Sequence, residues 1–548
     1  MSASSTRRRA VAGIAACALG VLTAACGGAP NSADAEAAAK ANVKLVDATP
    51  AAGGRLDKAT WLIAKEPTNL DLSNSDANDQ SDLIMANVCE RLNKLEPDMS
   101  VGPGLATGYQ WKTPTELVFT VRDGATFHDG APVTMDDVLW SMRRNATDGN
   151  SEADEFVNVT SFAQTGPHEL TFTMKQSDAV FVEALAGNAG LVQERTVVEA
   201  QGGAFGTPPS PDACSGPLTV KEWTPGDHVV LARAANYWDA AAASKVGELT
   251  FKWAADDAIV NSLVTGSAQG AYIDNISSAA RLVTAEDITV SQGPDTRVWS
   301  YLVTEKGGLA DPNLRKALSL AIDRDGINRA AFAGLGQPWK EPVGSGAWGY
   351  ERPAFQDAYD KLSGSPDKPS DQDLDAAKKL VAAAGPTQPV VVASDGSTIR
   401  NTLANAFVDA AQKIGLQASI TQIPTVQYGD FYDNPDLRAR ADLFMDDYYI
   451  SKTDPVGFYK NGASTSSVQW VLKDPAYDRL VLDGRAALDP TARAKIAIEL
   501  ATRWADAKPW ISAIQSPSTV AMSAGVTGVP ASGSVRYYPW AADLGTKG

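Results

Sequence analysis

Residues 116–144, ELVFTVRDGATFHDGAPVTMDDVLWSMRR, constrain the fold of this 548-residue chain more tightly than any other stretch. Leu117, Phe119 and Val121 fall on one side and Thr120 and Arg122 on the other, the period of a half-buried strand. The pairs Asp123-Gly124 and Asp129-Gly130 then break the run as turns. After Pro132 the spacing predicts a helix with a complete start signal. Thr134 is the cap, Asp137 the acidic half of a capping box, and Val133 and Val138 are placed for a hydrophobic staple. The unit reads strand, tight loop, capped helix.

The length exceeds one ordinary hydrophobic core, so two or three domains are expected. At the N-terminus Arg7-Arg8-Arg9 precedes an apolar run from Ala10 to Leu22 and a small-residue site, Thr23-Ala24-Ala25-Cys26. This pattern predicts an export signal over 1–25 and a lipid-bearing cysteine at Cys26, although Thr23 stands where such signals more often carry Leu. Two acyl-type anchors on one residue suffice for stable membrane attachment. Residues 26–57, poor in apolar periodicity, are expected to form a flexible tether. Cleavage removes three arginines and no acids from a chain of 48 basic and 65 acidic residues, leaving a formal net charge of −20. So acidic a chain is a poor nucleic-acid binder and weakly favours cationic or zwitterionic ligands. With Cys17 and Cys26 in the N-terminal segment, Cys89 and Cys214 are the pair left in the exported body. In an oxidising compartment an even pair permits a disulfide; two free thiols are the alternative.

The strand–loop–helix unit closely resembles the signature of the family-5 extracellular solute-binding proteins, the oligopeptide and dipeptide receptors of bacterial ABC importers. The resemblance lies in Val121-Arg122-Asp123, Phe127-His128-Asp129-Gly130, Pro132-Val133-Thr134 and Asp136-Asp137-Val138. A second strong match runs from Asp311-Pro312 through Leu314-Arg315-Lys316-Ala317 to Ala321-Ile322-Asp323-Arg324, where a capping acid and a proline start a helix. Shorter matches include Glu66 to Asp71, with Leu72 replacing a final proline, Pro103 to Trp111, and Asn236-Tyr237-Trp238. Leu83–Leu92 resembles a family helix, and Cys214 takes the place of the first glycine of a Gly-Thr-Gly-Pro motif.

The resemblance implies an α/β fold of the periplasmic-binding-protein-like type II class, with two lobes joined by hinge crossovers and a larger lobe 1 carrying an extra subdomain. The expected boundaries are lobe 1 at 58–297 with the inserted subdomain at about 80–195, lobe 2 at 298–512, and a return to lobe 1 at 513–548. Both cysteines then fall in one lobe, which makes the bridge plausible beside the free-thiol alternative. Val390–Ala393, a helix over 401–414 and a strand over 417–421 read as a right-handed βαβ unit.

The implied function is capture of a peptide in the interlobe cleft by a membrane-anchored, monomeric receptor on the extracytoplasmic face of the cell membrane. Its implied partners are an ABC permease and its ATPase subunits. Asp447 matches the family acid that receives a peptide α-amino group, within the run Asp446-Asp447-Tyr448. A desolvated carboxylate facing an ammonium ion makes a charge-assisted bond. Trp299 and Tyr301, on the expected crossover strand, are candidates for an aromatic wall or for ordinary core packing, and Asp76 and Asn78 are candidate ligand neighbours. An extended peptide would pair its main chain with strand edges while its side chains enter hydrated pockets.

The three histidines, His128, His168 and His228, form no catalytic or metal-ligating cluster, and no Gly-x-Ser-x-Gly elbow, HExxH helix or P-loop occurs. No cofactor, metal or catalytic residue is expected. Two alternatives stay open: the same fold binding a sugar, opine or metal chelate, and a secreted hydrolase.

Overall fold

The computed structural model describes residues 44–209 and 212–548. The export signal and Cys26 lie outside the described residues. Three larger sheets organise the chain. A seven-stranded sheet runs in the order Ile288–Gly293, Ser518–Ser523, Gly270–Tyr272, Leu56–Ile63, Val246–Trp253, His228–Arg233, Leu218–Thr224. A four-stranded antiparallel sheet, Ala106–Thr113, Glu116–Val121, Glu169–Met174 and Val159–Gly166, forms a subdomain beside it. The third sheet has six strands, ordered Gln337–Pro338, Trp510–Gln515, Val298–Val303, Leu443–Asp446, Val390–Ser394, Ala418–Gln422. The first sheet and its subdomain constitute lobe 1, the third sheet lobe 2.

The signature unit takes the form its sequence dictates. Strand Glu116–Val121 buries Leu117, Phe119 and Val121, and Phe119 stacks edge-on against Phe172 at 5.9 Å. Helix Met135–Asn145 starts at Thr134 with the capping box formed: Asp137 N–H donates to Thr134 Oγ1 at 3.2 Å and Thr134 N–H to Asp137 Oδ2 at 3.1 Å. Val138 is fully buried in the same core, with Val133 packed on it. His128 ties two segments together. Its Nδ1 lies 2.5 Å from Asp212 Oδ1 and its Nε2 2.8 Å from the Gly216 carbonyl, fastening the loop to the segment that carries Cys214. Cys89 and Cys214 form a disulfide across a sequence separation of 125, with Cα atoms 4.7 Å apart.

Three expectations need correction. The helix expected over Leu83–Leu92 spans Asp79–Met85. Asn87 ends it, its side-chain amide donating to the carbonyls of Leu83 and Ile84 at 3.0 and 3.1 Å, which satisfies groups a further turn would have used. The run from Pro312 to Arg324 is two helices, Pro312–Ala321 and Arg324–Phe332, because Asp323 leaves helical geometry to cap the second, accepting from the Gly326 N–H at 2.8 Å. The tether expected over 26–57 is shorter at its C-terminal end. Val46 N–H donates to the Gln292 carbonyl at 2.8 Å, Thr49 Oγ1 to the Val529 carbonyl at 2.7 Å, and Gly53 N–H to Thr546 at 3.0 Å, so residues 46–53 lie along lobe 1.

Lobe 1 is centred on Trp61, fully buried, with Trp540 and Tyr272 at 4.7 and 5.4 Å. Lobe 2 has an aromatic core of Phe458, Trp504 and Trp510 with centroids 5.4 to 5.5 Å apart. The chain passes between the seven- and six-stranded sheets twice. One crossover is 294–297, between strands Ile288–Gly293 and Val298–Val303; the other is Ser516-Pro517, between Trp510–Gln515 and Ser518–Ser523. The two lie side by side, Ser516 N–H donating to the Arg297 carbonyl at 3.3 Å.

Candidate functional site

Both crossovers form part of the wall of a cavity of about 50 Å³ between the lobes, together with Asp79 and Asp274 of lobe 1, Arg536 near the C-terminus, and Asp447 of lobe 2. Asp447 stands just past the strand Leu443–Asp446, whose pairing with Val298–Val303 delivers it to the mouth of the crossover. Its Oδ2 lies 3.6 Å from Arg297 Nη1, and its side chain is 28% exposed, enough to meet an incoming group. Desolvation raises the Asp447 carboxyl above its ordinary value; Arg297 opposes this and Asp446 reinforces it. Burial works against the Arg297 guanidinium, but the carboxylates of Asp447, Asp295, Asp274 and Asp79 outweigh it and hold its pKa above the ordinary value. Arg297 Nη2 reaches Asp79 Oδ2 at 3.4 Å, while its Nε is buried without a hydrogen-bond partner. Two cations approach the Tyr449 ring, Arg297 at 5.8 Å and Arg536 at 4.6 Å from its centroid.

The other residues expected at the site go elsewhere. Asp446 is committed within lobe 2, accepting from Tyr432 Oη at 2.6 Å and from Arg400 Nη2 at 3.3 Å. Tyr448 faces a second interlobe cavity and packs on Trp510 at 5.3 Å. Tyr301 is fully buried in the lobe 2 core with its hydroxyl on the Leu403 carbonyl at 2.9 Å; Trp299 is 8% exposed and packs on Phe332. Both sit in a strand buried along its whole length, so neither forms a wall of the cleft. Asp76 is exposed in a turn held by Asn74, and Asn78 caps the helix Asp79–Met85. Sequence reasoning missed Asp79, Arg297 and Arg536. Arg297 immediately precedes the predicted crossover strand, a placement that could have flagged it; Asp79 and Arg536 carry no local signal.

The second interlobe cavity, about 270 Å³, begins one residue beyond Asp447 and is closed at its edge by ion pairs between the lobes. Glu155 of the subdomain, fully buried, faces three cations of lobe 2: Lys452 at 2.6 Å, Lys460 at 3.1 Å and Arg485 at 3.9 Å. Burial alone would raise the Glu155 pKa; Lys452, Lys460 and Arg485 overcome it and hold the carboxyl at about 2. Arg485 also reaches Asp178 at 2.6 Å, and Thr453 donates to Glu183 at 3.2 Å. Val180 packs into a lobe 2 cluster with Val456 beside these pairs. Among the described residues no group of three or more His, Cys, Asp or Glu side chains could hold a metal ion, and no helix is long and apolar enough to cross a membrane.

Two lobes joined by paired crossovers, with charged side chains from both converging on the gap, define a solute-binding protein of the bilobal type. The model of the bacterial extracellular solute-binding proteins, family 5, matches residues 100–470, and the chain belongs to that family, the binding components of ABC importers. The probable D,D-dipeptide-binding periplasmic protein DdpA of Escherichia coli is 26% identical over 401 residues, 69% of this chain and 72% of DdpA. CtaP of Listeria monocytogenes, an ABC transporter substrate-binding protein, superposes with a TM-score of 0.75 at 19% identity over 90% of this chain and all of CtaP. AgaA of A. tumefaciens R10, solved with agropinic acid, gives 0.71 at 19% identity over 89% of this chain and 98% of AgaA. These structural likenesses establish the type II periplasmic-binding-protein fold. The relatives are binding proteins of transporters, and proteins of this family work outside the cytoplasm.

Proposed function

We propose that this chain is the membrane-anchored receptor of an ABC importer, capturing peptides between its lobes and presenting the closed form to the permease. It acts as a monomer held to the outer face of the cell membrane by a lipid on Cys26. The observation that carries the peptide reading is Asp447, a partly exposed carboxylate in the interlobe cavity at the position where family members receive an α-ammonium ion. An incoming ammonium competes with Arg297, whose 3.6 Å contact is longer than a close charge-assisted bond. Ligand touching both lobes shifts the population toward the closed form.

One feature favours a second reading. Arg297 and Arg536 both line the cavity and, although each also reaches Asp79, two cations there suit an acid-bearing solute such as an opine. Thermal shift of the purified protein against a peptide library, a sugar and opine panel and nickel separates the readings. A ligand at a hundred times its Kd stabilises by about 2.7 kcal/mol. Stabilisation by non-peptides alone would end the peptide assignment.

A further inference from the structure

Asp446 and Asp447 are adjacent acids at the end of one strand, yet only Asp447 lines the cavity at the crossovers. What separates them is the support along the strand's other edge. Leu443–Asp446 pairs along its whole length with Val298–Val303, but it meets Val390–Ser394 at one position, Leu443 with Val392. Past that point the Met445 peptide groups on this edge have no strand to bond, and a buried peptide group left unpaired is costly. Two side chains take the strand's place. Met445 N–H donates to Tyr428 Oη at 3.1 Å, and the Met445 carbonyl accepts from Arg400 Nε at 3.1 Å. Arg400 stands in the first turn of helix Thr398–Lys413 and extends further. Its Nη1 reaches Asp395 Oδ2 at 2.9 Å, its Nη2 reaches Asp446 Oδ1 at 3.3 Å, and its guanidinium lies 4.1 Å from the Tyr428 ring centroid. Each of the three nitrogens has its own acceptor, a fork that a lysine ammonium cannot reproduce. Tyr432 Oη donates to the other Asp446 oxygen at 2.6 Å, so both oxygens of Asp446 are engaged within lobe 2.

Resting on the peptide reading above, we propose that Arg400 is a positioning residue of the ammonium site: it pins the end of the strand and holds Asp446 in an ion pair, so that of the two neighbouring acids Asp447 alone meets the guest. Burial raises the Asp447 pKa and Asp446 adds to it, while Arg297 and Arg400 oppose them. Tyr432 stays neutral, because burial and the Asp446 charge push its hydroxyl well above the ordinary value. The remaining charged groups of the cavity, Asp79, Asp274, Asp295 and Arg536, belong to lobe 1 or the crossover. Loss of Arg400 therefore removes one cation acting on Asp447 and sets free a second acid beside it, and both changes favour the protonated form of Asp447.

The test is calorimetric titration of the full chain with trialanine and its C-terminal amide from pH 5 to 7.5. In Arg400→Gln the acidic limb of binding should move up by about one pH unit, the size of effect a lost neighbouring charge gives. The double variant R400Q/D446N should bring the limb back toward wild type. An affinity loss equal at every pH and not rescued by D446N means a structural role alone and overturns the proposal. A loss confined to trialanine, with the amide bound as before, means that Arg400 receives the guest's carboxylate itself and also overturns it. Should R400Q not fold, D446N alone decides: with Arg400 in place the limb should stay where it is, and a large downward shift refutes the pairing. If the wild type binds neither peptide, the peptide reading falls, and the action of Arg400 on Asp447 is read by carbon NMR of aspartate carboxyls, with the Asp447 signal assigned by its absence in D447N. A titration that rises in R400Q and returns in R400Q/D446N supports that action, and an unmoved one refutes it.

Discussion

Replacing Glu155 by Gln tests how the lobes are held together. The carboxylate is fully buried and faces Lys452, Lys460 and Arg485 from the opposite lobe. Its depression from 4.5 to about 2 corresponds to about 3 kcal/mol of preference for the ionised form, in the range that breaking a buried ion pair costs. If these contacts exist only when the lobes are closed, the variant shifts the balance toward the open form by about 3 kcal/mol, on the order of a hundredfold. The pH dependence follows from the sign. A carboxylate whose folded pKa is depressed contributes fully above its unfolded value of 4.5, and the contribution disappears as pH falls through about 2. This closure is therefore insensitive to pH from neutrality down to about 5. Small-angle scattering of the unliganded protein reads the result as a larger radius of gyration for E155Q at pH 7, while circular dichroism confirms an intact fold. A double-mutant cycle with Lys452→Met isolates the pair. An E155Q profile superimposable on wild type, with additive cycle energies, would refute the reasoning.

Asp447→Ala should abolish peptide binding by calorimetry while leaving the melting profile intact; retained affinity removes Asp447 from the site. Tyr301→Phe should cost about 1 kcal/mol in urea denaturation, the worth of its bond to Leu403, with ligand affinity unchanged. Changed affinity would return Tyr301 to the cleft. Converting Cys89 and Cys214 together to serine should cost about 2–5 kcal/mol, and added reductant should reproduce the loss in the wild type alone. Burial lowers the Lys508 pKa to about 7, so the unfolded chain binds more protons and stability should rise from pH 7 to 10; Lys508→Met should flatten that rise in denaturation measured across the range.

Much of the fold was legible where local and tertiary demands agree. Thr134 and Asp137 make the bonds their spacing predicts, and Val390–Ser394, Thr398–Lys413 and Ala418–Gln422 form the predicted parallel unit. Legibility failed where a side chain overrode periodicity. Asn87 cuts a helix that apolar spacing would have continued, and Asp323 splits another by capping its second half. Of the residues expected at the site, Asp447 alone lines the cavity at the crossovers. Asp79, Arg297, Asp447 and Arg536 come from four distant stretches, and their charges are meaningful only together, which no window of sequence contains. Trp299 and Tyr301 took the core-packing alternative; an aromatic beside a crossover reads alike whether its strand is open or buried on both faces.

The neighbouring passages 294–297 and Ser516-Pro517, tied by one hydrogen bond, make the junction a two-ply ribbon, which bends readily across its face and resists shear along its edges. Arg297 and Asp295 belong to that ribbon, so part of the charged floor lies on the junction itself. Were the halves to turn about it, those side chains would travel less than the Glu155 contacts, which lie away from the junction. On the proposed reading, charge would then be sensed near the pivot, with the Glu155 contacts as the seal.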